Sequence, residues 1–240
     1  MYSTYFKPFP VLETERLILR KVKKKDCRDL YEYCSDPLSS RYSDWQPHED
    51  ISVTKQFVKS LLSACSHGEY FMWCIELKES GKVIGSVSLV DIDRHYKVAE
   101  MGYGIQKAYW GKGYATEAAE AVLEYLFCTV GVQRVFVRIA TENLPSVRLA
   151  LRLNMECDGL FRKGSYLHDK SHDVYVYAIT DDDYKKAVSA QENFAETDAD
   201  TEIAESLETE SSESKPSENS DEEKITEEES PESEASSKEE

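Results

Sequence analysis

The sequence predicts a layered α/β domain built on a mixed sheet and followed by an acidic tail. Three observations carry that expectation. Strand-like and helix-like apolar patterns alternate through residues 1–190. A strand–helix–strand unit near the middle calls for a parallel crossover. Charge divides along the chain: residues 191–240 hold 20 Asp plus Glu against 3 Lys, a net of -17 that equals the formal charge of the whole chain. Taken from the chain totals of 46 acids and 29 bases, this leaves 26 of each sign in residues 1–190, a neutral body.

The elements follow in order. Arg16 to Val22 alternates as a strand. Asp26 to Ser35 has helical spacing behind an Asp that reads as its cap, and Ile51 to His67 repeats that spacing until Gly68 stops it. Tyr70 to Leu77 and Val83 to Asp91 flank Glu79-Ser80-Gly81-Lys82 and form a hairpin pattern. Ala99 to Ile105 is a third sheet strand. Tyr114 to Val130 is the strongest helix, with Ala115, Ala118, Ala119, Val122, Leu123, Leu126 and Phe127 in one stripe and Gly131 closing it. Arg134 to Ala140 is a strand parallel to Ala99–Ile105, Leu144 to Leu153 a helix with Pro145 in its first turn, and Cys157 to Lys163 and Val174 to Thr180 two last strands. The order is β-α-α-β-β-β-α-β-α-β-β.

Residues 191–240 are mostly Glu, Ser, Asp, Thr and Ala, too poor in apolar side chains to offset the entropy of ordering, and are expected to be a disordered, solubilising tail. The domain itself is assigned to residues 1–190. The six cysteines are scattered and none forms a C-x-x-C pair, which suits reduced thiols and indicates neither zinc nor a disulfide framework. Met1 to Pro10 has no basic-then-apolar leader, and no apolar run nears the roughly 18 residues of a membrane span, so a cytoplasmic protein is expected.

Gln106 to Ala115 (QKAYWGKGYA) lies between strand and helix, with two glycines flanking Lys112. The helix start lacks Ser, Thr, Asp or Asn, so its first amides have no side-chain acceptor, and Gly111 and Gly113 let a ligand approach the backbone. A phosphate suits such donors at the positive end of a helix dipole. Neither common phosphate loop fits: Gly113 stands where a Walker loop has Ser or Thr, and Thr116 where G-x-G-x-x-G has its third glycine.

Ala99-Glu100-Met101-Gly102-Tyr103-Gly104-Ile105 through Trp110 to Ala118 resembles the acetyl-CoA motif of the GNAT acyltransferase superfamily, in the form of the RimJ/RimL branch that acetylates N-terminal residues of ribosomal proteins. Glu15 to Arg20, Gly81 to Gly85, Asn143-x-x-Ser146, and Asp158-Gly159 with Arg162 extend the likeness over Leu12 to Thr180. It implies a mixed central sheet with helices on both faces and acetyl-CoA as cosubstrate. The backbone of Gly111, Lys112, Gly113, Tyr114 and Ala115 would hold the pyrophosphate beside Trp110, which replaces the usual Gln or Arg. The strand edge ending at Ile105 would pair with the pantetheine arm, and Asn143 and Ser146 would face its sulfur end. Where the superfamily has Gly after the late helix this chain has Asn154, the next-best residue for a left-handed position.

Amine acetylation needs a proton acceptor, donors for developing charge on the carbonyl oxygen, and a proton for the leaving thiolate. Glu100 is the candidate base, and Ser146 and Tyr166 are the candidate acids. His168 and His172 have metal-like spacing without further ligands, so no metal is assigned. The acceptor is left open between a protein N-terminus, a lysine or small polyamine, and an aminoglycoside-like compound. A non-catalytic CoA-binding module is the alternative. No nucleic-acid or membrane partner is expected, and a monomer or weak homodimer is.

Overall fold

Eight strands form one sheet in the spatial order β1-β2-β3-β4-β5-β6-β8-β7 in a computed structural model, whose described residues are 6–93 and 95–190. The strands are β1 (Leu12–Glu13), β2 (Leu17–Lys21), β3 (Phe71–Leu77), β4 (Val83–Asp93), β5 (Val98–Ile105), β6 (Arg134–Ala140), β7 (Glu156–Leu167) and β8 (Lys170–Thr180). The helices are α1 (Cys27–Cys34), α2 (Pro37–Ser40), α3 (Ile51–His67), α4 (Tyr114–Glu124) and α5 (Leu144–Arg152), and α6 over 181–190. The acidic tail expected at 191–240 lies outside the described residues.

β3 is apolar at nearly every position because both its faces are covered. Phe71, Trp73, Ile75 and Leu77 point into the larger core, together with Ala118, Ala119, Val122 and Leu123 of α4 and Leu149 and Ala150 of α5. Met72 and Cys74 point the other way, into a smaller core with Leu30 of α1 and Val58 and Leu61 of α3. Helices therefore cover both faces, as expected. All six cysteines are free thiols.

Among the described residues only β5 and β6 run parallel, and their register is short: Val98↔Arg134, Ala99↔Val135 and Glu100↔Phe136. Beyond that point β5 continues to Ile105 and β6 to Ala140 without pairing, so the two strands fork. The crotch is bridged by an ion pair in which Arg138 Nε and Nη2 each donate over 2.9 Å to the two oxygens of Glu100.

Several elements differ from their sequence expectation. Asp26 does not cap α1 with its side chain. Its carboxylate instead takes two hydrogen bonds from buried Arg20, at 2.7 and 2.9 Å, and one from the Lys23 amide at 2.7 Å. The long central helix ends as a π-helix, Tyr125–Val130. The wider turn buries Leu126 and Val130 and moves Phe127 out to stack on Tyr184 of α6, with ring centroids 4.9 Å apart. The last two strands form a longer hairpin than their apolar runs suggest, through Leu167 and Lys170. β1, α2 and α6 carry too few periodic residues to be seen in sequence.

Candidate active site

The fork opens into a cavity of about 960 Å³. Its walls come from the end of β5, the loop into α4, the start of α5, and α1 and α2 from the opposite face. Ile105, Trp110, Gly111, Gly113, Tyr114, Ala115, Asn143 and Ser146 all line it, and Lys112, Glu100 and Tyr166 do not.

The turn before α4 is glycine-dependent at two places. Gly111 has φ 74° and Gly113, at the N-cap of α4, has φ 82°, a region that L side chains adopt only with strain. A Cβ on Gly111 would meet nothing within 4 Å, so glycine is required there by its φ and not by crowding. Among the described residues no side chain accepts a hydrogen bond from the amides of Gly111 to Thr116.

Glu117 is the one acid in the first turn of α4, and it is turned elsewhere. Its Oε1 accepts from the Thr14 hydroxyl at 2.5 Å and the Arg16 amide at 2.9 Å, and its Oε2 from Arg16 Nε at 2.7 Å. Burial works against the charge, yet these donors outweigh it and hold the carboxyl below its ordinary range. The same guanidinium donates through Nη1 to the Lys112 carbonyl at 3.0 Å and lies over the Tyr114 ring, 4.6 Å from its centroid. Arg16 is thus the clamp of the glycine turn. The sequence pattern included Arg16 but gave it no role, since its partners are about a hundred positions away.

Trp110 is another brace. Its indole Nε1 donates to the Ile105 carbonyl at 2.6 Å, folding the loop back onto β5. The Gln106 amide bonds across to Ile84 of β4 at 2.8 Å, so strand alternation directs the backbone groups of Tyr103 and Ile105 away from β4 and into the fork.

At the other wall, Asn143 caps α5, its side chain accepting from the Ser146 amide at 3.3 Å. The Ser146 hydroxyl is 3.0 Å from that of Tyr103. Burial pushes the Tyr103 phenol up to about 12, with the Ser146 contact pulling the other way, so Tyr103 is neutral at ordinary pH and one of the two hydroxyls donates to the other. Tyr103 was not among the sequence candidates: as one of 15 tyrosines it had no distinguishing signal.

The remaining candidates are elsewhere. Glu100 is 8 % exposed, with both oxygens held by Arg138. Tyr166 is 69 % exposed on β7. His168, in the β7–β8 turn, contacts Gln46 through Nδ1 at 2.8 Å and the Ser40 carbonyl through Nε2 at 3.0 Å. It fastens that hairpin to the α2 region, and His172 Nδ1 is 3.8 Å from Glu142. Among the described residues no helix is long and apolar enough to cross a membrane.

A forked mixed sheet, with an uncapped helix N-terminus opening on the fork, defines a class of acyl-transfer fold. The chain belongs to the GNAT acetyltransferase family, whose domain model matches residues 16–156, and it is accordingly an N-acetyltransferase. It is 31 % identical over 173 residues to an uncharacterized N-acetyltransferase of Bacillus licheniformis, covering 72 % of this chain and 97 % of that one. It is 25 % identical over 171 residues to a ribosomal-protein-serine acetyltransferase of Escherichia coli strain K12, covering 69 % and 93 %. Among solved structures, a GNAT-family acetyltransferase from Bacillus anthracis superposes with a TM-score of 0.65 at 27 % identity, over 72 % of this chain and 99 % of the other.

Proposed function

We propose that the chain transfers the acetyl group of acetyl-CoA to the α-amino group of a protein N-terminus, with the cavity in the fork as the active site. The observation that carries this is the set of free amides at the start of α4, on a glycine turn whose first-turn acid, Glu117, is engaged by Thr14 and Arg16. Free N–H groups and the helix dipole favour a diphosphate there, and Gly111 and Gly113 line the cavity that would hold it. Acetyl-CoA supplies an activated thioester. The backbone groups of Tyr103 and Ile105 that face the fork suit an extended amide-bearing arm, as an added strand would, although Trp110 already takes the Ile105 carbonyl.

Within this reading Ser146 is the proton donor to the departing thiol, with Tyr103 replenishing it through their 3.0 Å contact. The structure favours this assignment over Tyr166, which does not line the cavity. Glu100 acts by tying β5 to β6 at the base of the fork through Arg138 rather than as the general base. The amine would then lose its proton to water, since Glu142, the one carboxylate lining the cavity among the described residues, lies beside His172. A protein N-terminus is preferred over a polyamine because a polycation would call for more carboxylates than that one.

The test is a panel read two ways. Acetyl-CoA should raise the melting temperature, and free thiol should be released with a Ser- or Ala-initiated peptide in excess over spermidine. Stabilisation without thiol release for any amine would make the chain a binding module. Absence of stabilisation would remove acetyl-CoA from the account.

A further inference from the structure

The Tyr33 side chain belongs to none of the groups used so far. It sits on α1, is 9 % exposed, and lines the same cavity as Ser146 and the glycine turn. Among the described residues its hydroxyl has no hydrogen-bond partner. Facing the cavity, it is a donor open to whatever occupies that space.

Its position is set from two sides. The ring is held against Trp45, with centroids 5.9 Å apart, and the end of α1 is tied down by the His48 amide, which donates to the Cys34 carbonyl at 3.0 Å. On the other side the hydroxyl reaches the backbone of β5. A Cβ on Gly104 would stand 2.0 Å from the Tyr33 oxygen, so only glycine at 104 lets the phenol approach the strand edge beside the fork. Burial raises the phenol above its ordinary pKa, so it remains a proton donor at any pH the protein meets.

We infer that the Tyr33 hydroxyl donates a hydrogen bond to the carbonyl oxygen of the acyl group lying along β5, making it a catalytic residue that recognises the thioester. This rests on the reading of the cavity as an acetyl-CoA site. A fixed donor that no group among the described residues engages is an arrangement that stabilises charge developing on a carbonyl oxygen, because it needs no rearrangement when that charge appears.

The experiment compares acetyl-CoA with CoA, so it needs no acceptor amine. Both are titrated calorimetrically into the full-length chain and into Tyr33→Phe. Loss of one neutral hydrogen bond should weaken acetyl-CoA about three- to tenfold relative to CoA, while CoA itself changes less than about twofold and the melting temperature is held. A ratio that is the same in both proteins overturns the role of Tyr33 while leaving the coenzyme site intact. If the wild-type chain binds neither compound, the coenzyme reading falls and this inference with it. Should Tyr33→Phe not fold, the infrared carbonyl stretch of isotope-labelled acetyl-CoA decides on the wild-type chain: a shift to lower frequency on binding is expected, and an unshifted band overturns the proposal.

Discussion

Glu117 and Arg16 together show how a binding surface is kept free of the protein's own charges. A carboxylate in the first turn of a helix ordinarily satisfies the dipole and competes with an anion. Here Thr14 and Arg16 draw it aside. Glu117→Gln should therefore lower stability by about 1–3 kcal/mol at neutral pH, the usual worth of charge-assisted hydrogen bonds. The sign follows from linkage: the carboxyl lies lower in the folded chain than its ordinary value of 4.5. Its contribution is thus complete above that value and fades as pH falls through the lower folded one. Thermal melts of the two proteins should converge in acid and separate above about pH 5, and a constant gap would refute the assignment. At Gly113, a methyl group would meet a positive φ and lie 3.2 Å from Arg16 Nη2. Gly113→Ala should cost about 1–2 kcal/mol of backbone strain and weaken acetyl-CoA by about tenfold, as calorimetry would register.

Among the elements, α3 was legible from end to end because its apolar spacing is local and Gly68 ends it in a left-handed conformation; the structure adds the Asp50 cap at its start. β6 was legible for a similar reason, since alternation and length suffice. The glycine turn was legible because an absent cap is visible in sequence. Asn154 likewise adopts φ 56°, the left-handed position its place after α5 suggested. What escaped depended on distant partners. Asp26 looks like a cap until Arg20 folds onto it, and nothing local distinguishes Tyr33 or Tyr103 from tyrosines that only pack. Glu100 matched a carboxylate position in the motif, but its engagement by Arg138 is decided by which strands become neighbours. The π-helix is a further case, because a stripe of apolar residues fits α and π geometry alike until packing selects one. Leu126 is fully buried where the helix widens, and Leu126→Ala should cost about 2–5 kcal/mol, measured by chemical denaturation. Ser146→Ala tests the start of α5: kcat should fall about a hundredfold with the KM for acetyl-CoA nearly unchanged, using whichever amine the panel identifies.

For the molecule as a whole, charge and fold are separable. Residues 1–190 are neutral and contain the apolar patterning, whereas residues 191–240 hold the net charge. Removing 191–240 should leave the melting temperature within about two degrees, because few large apolar side chains are lost. It should also raise the KM of a basic acceptor at low ionic strength, an effect that added salt abolishes.

The brief parallel register of β5 and β6, three residue pairs long, has a mechanical consequence. The five strands on one side of the fork and the three on the other share few rungs, so an extended guest lying in the gap would act as mortar between two panels of one wall. Loading should then slow hydrogen–deuterium exchange at the Tyr103 amide and, further off, along β6, tightening regions that the guest itself never touches.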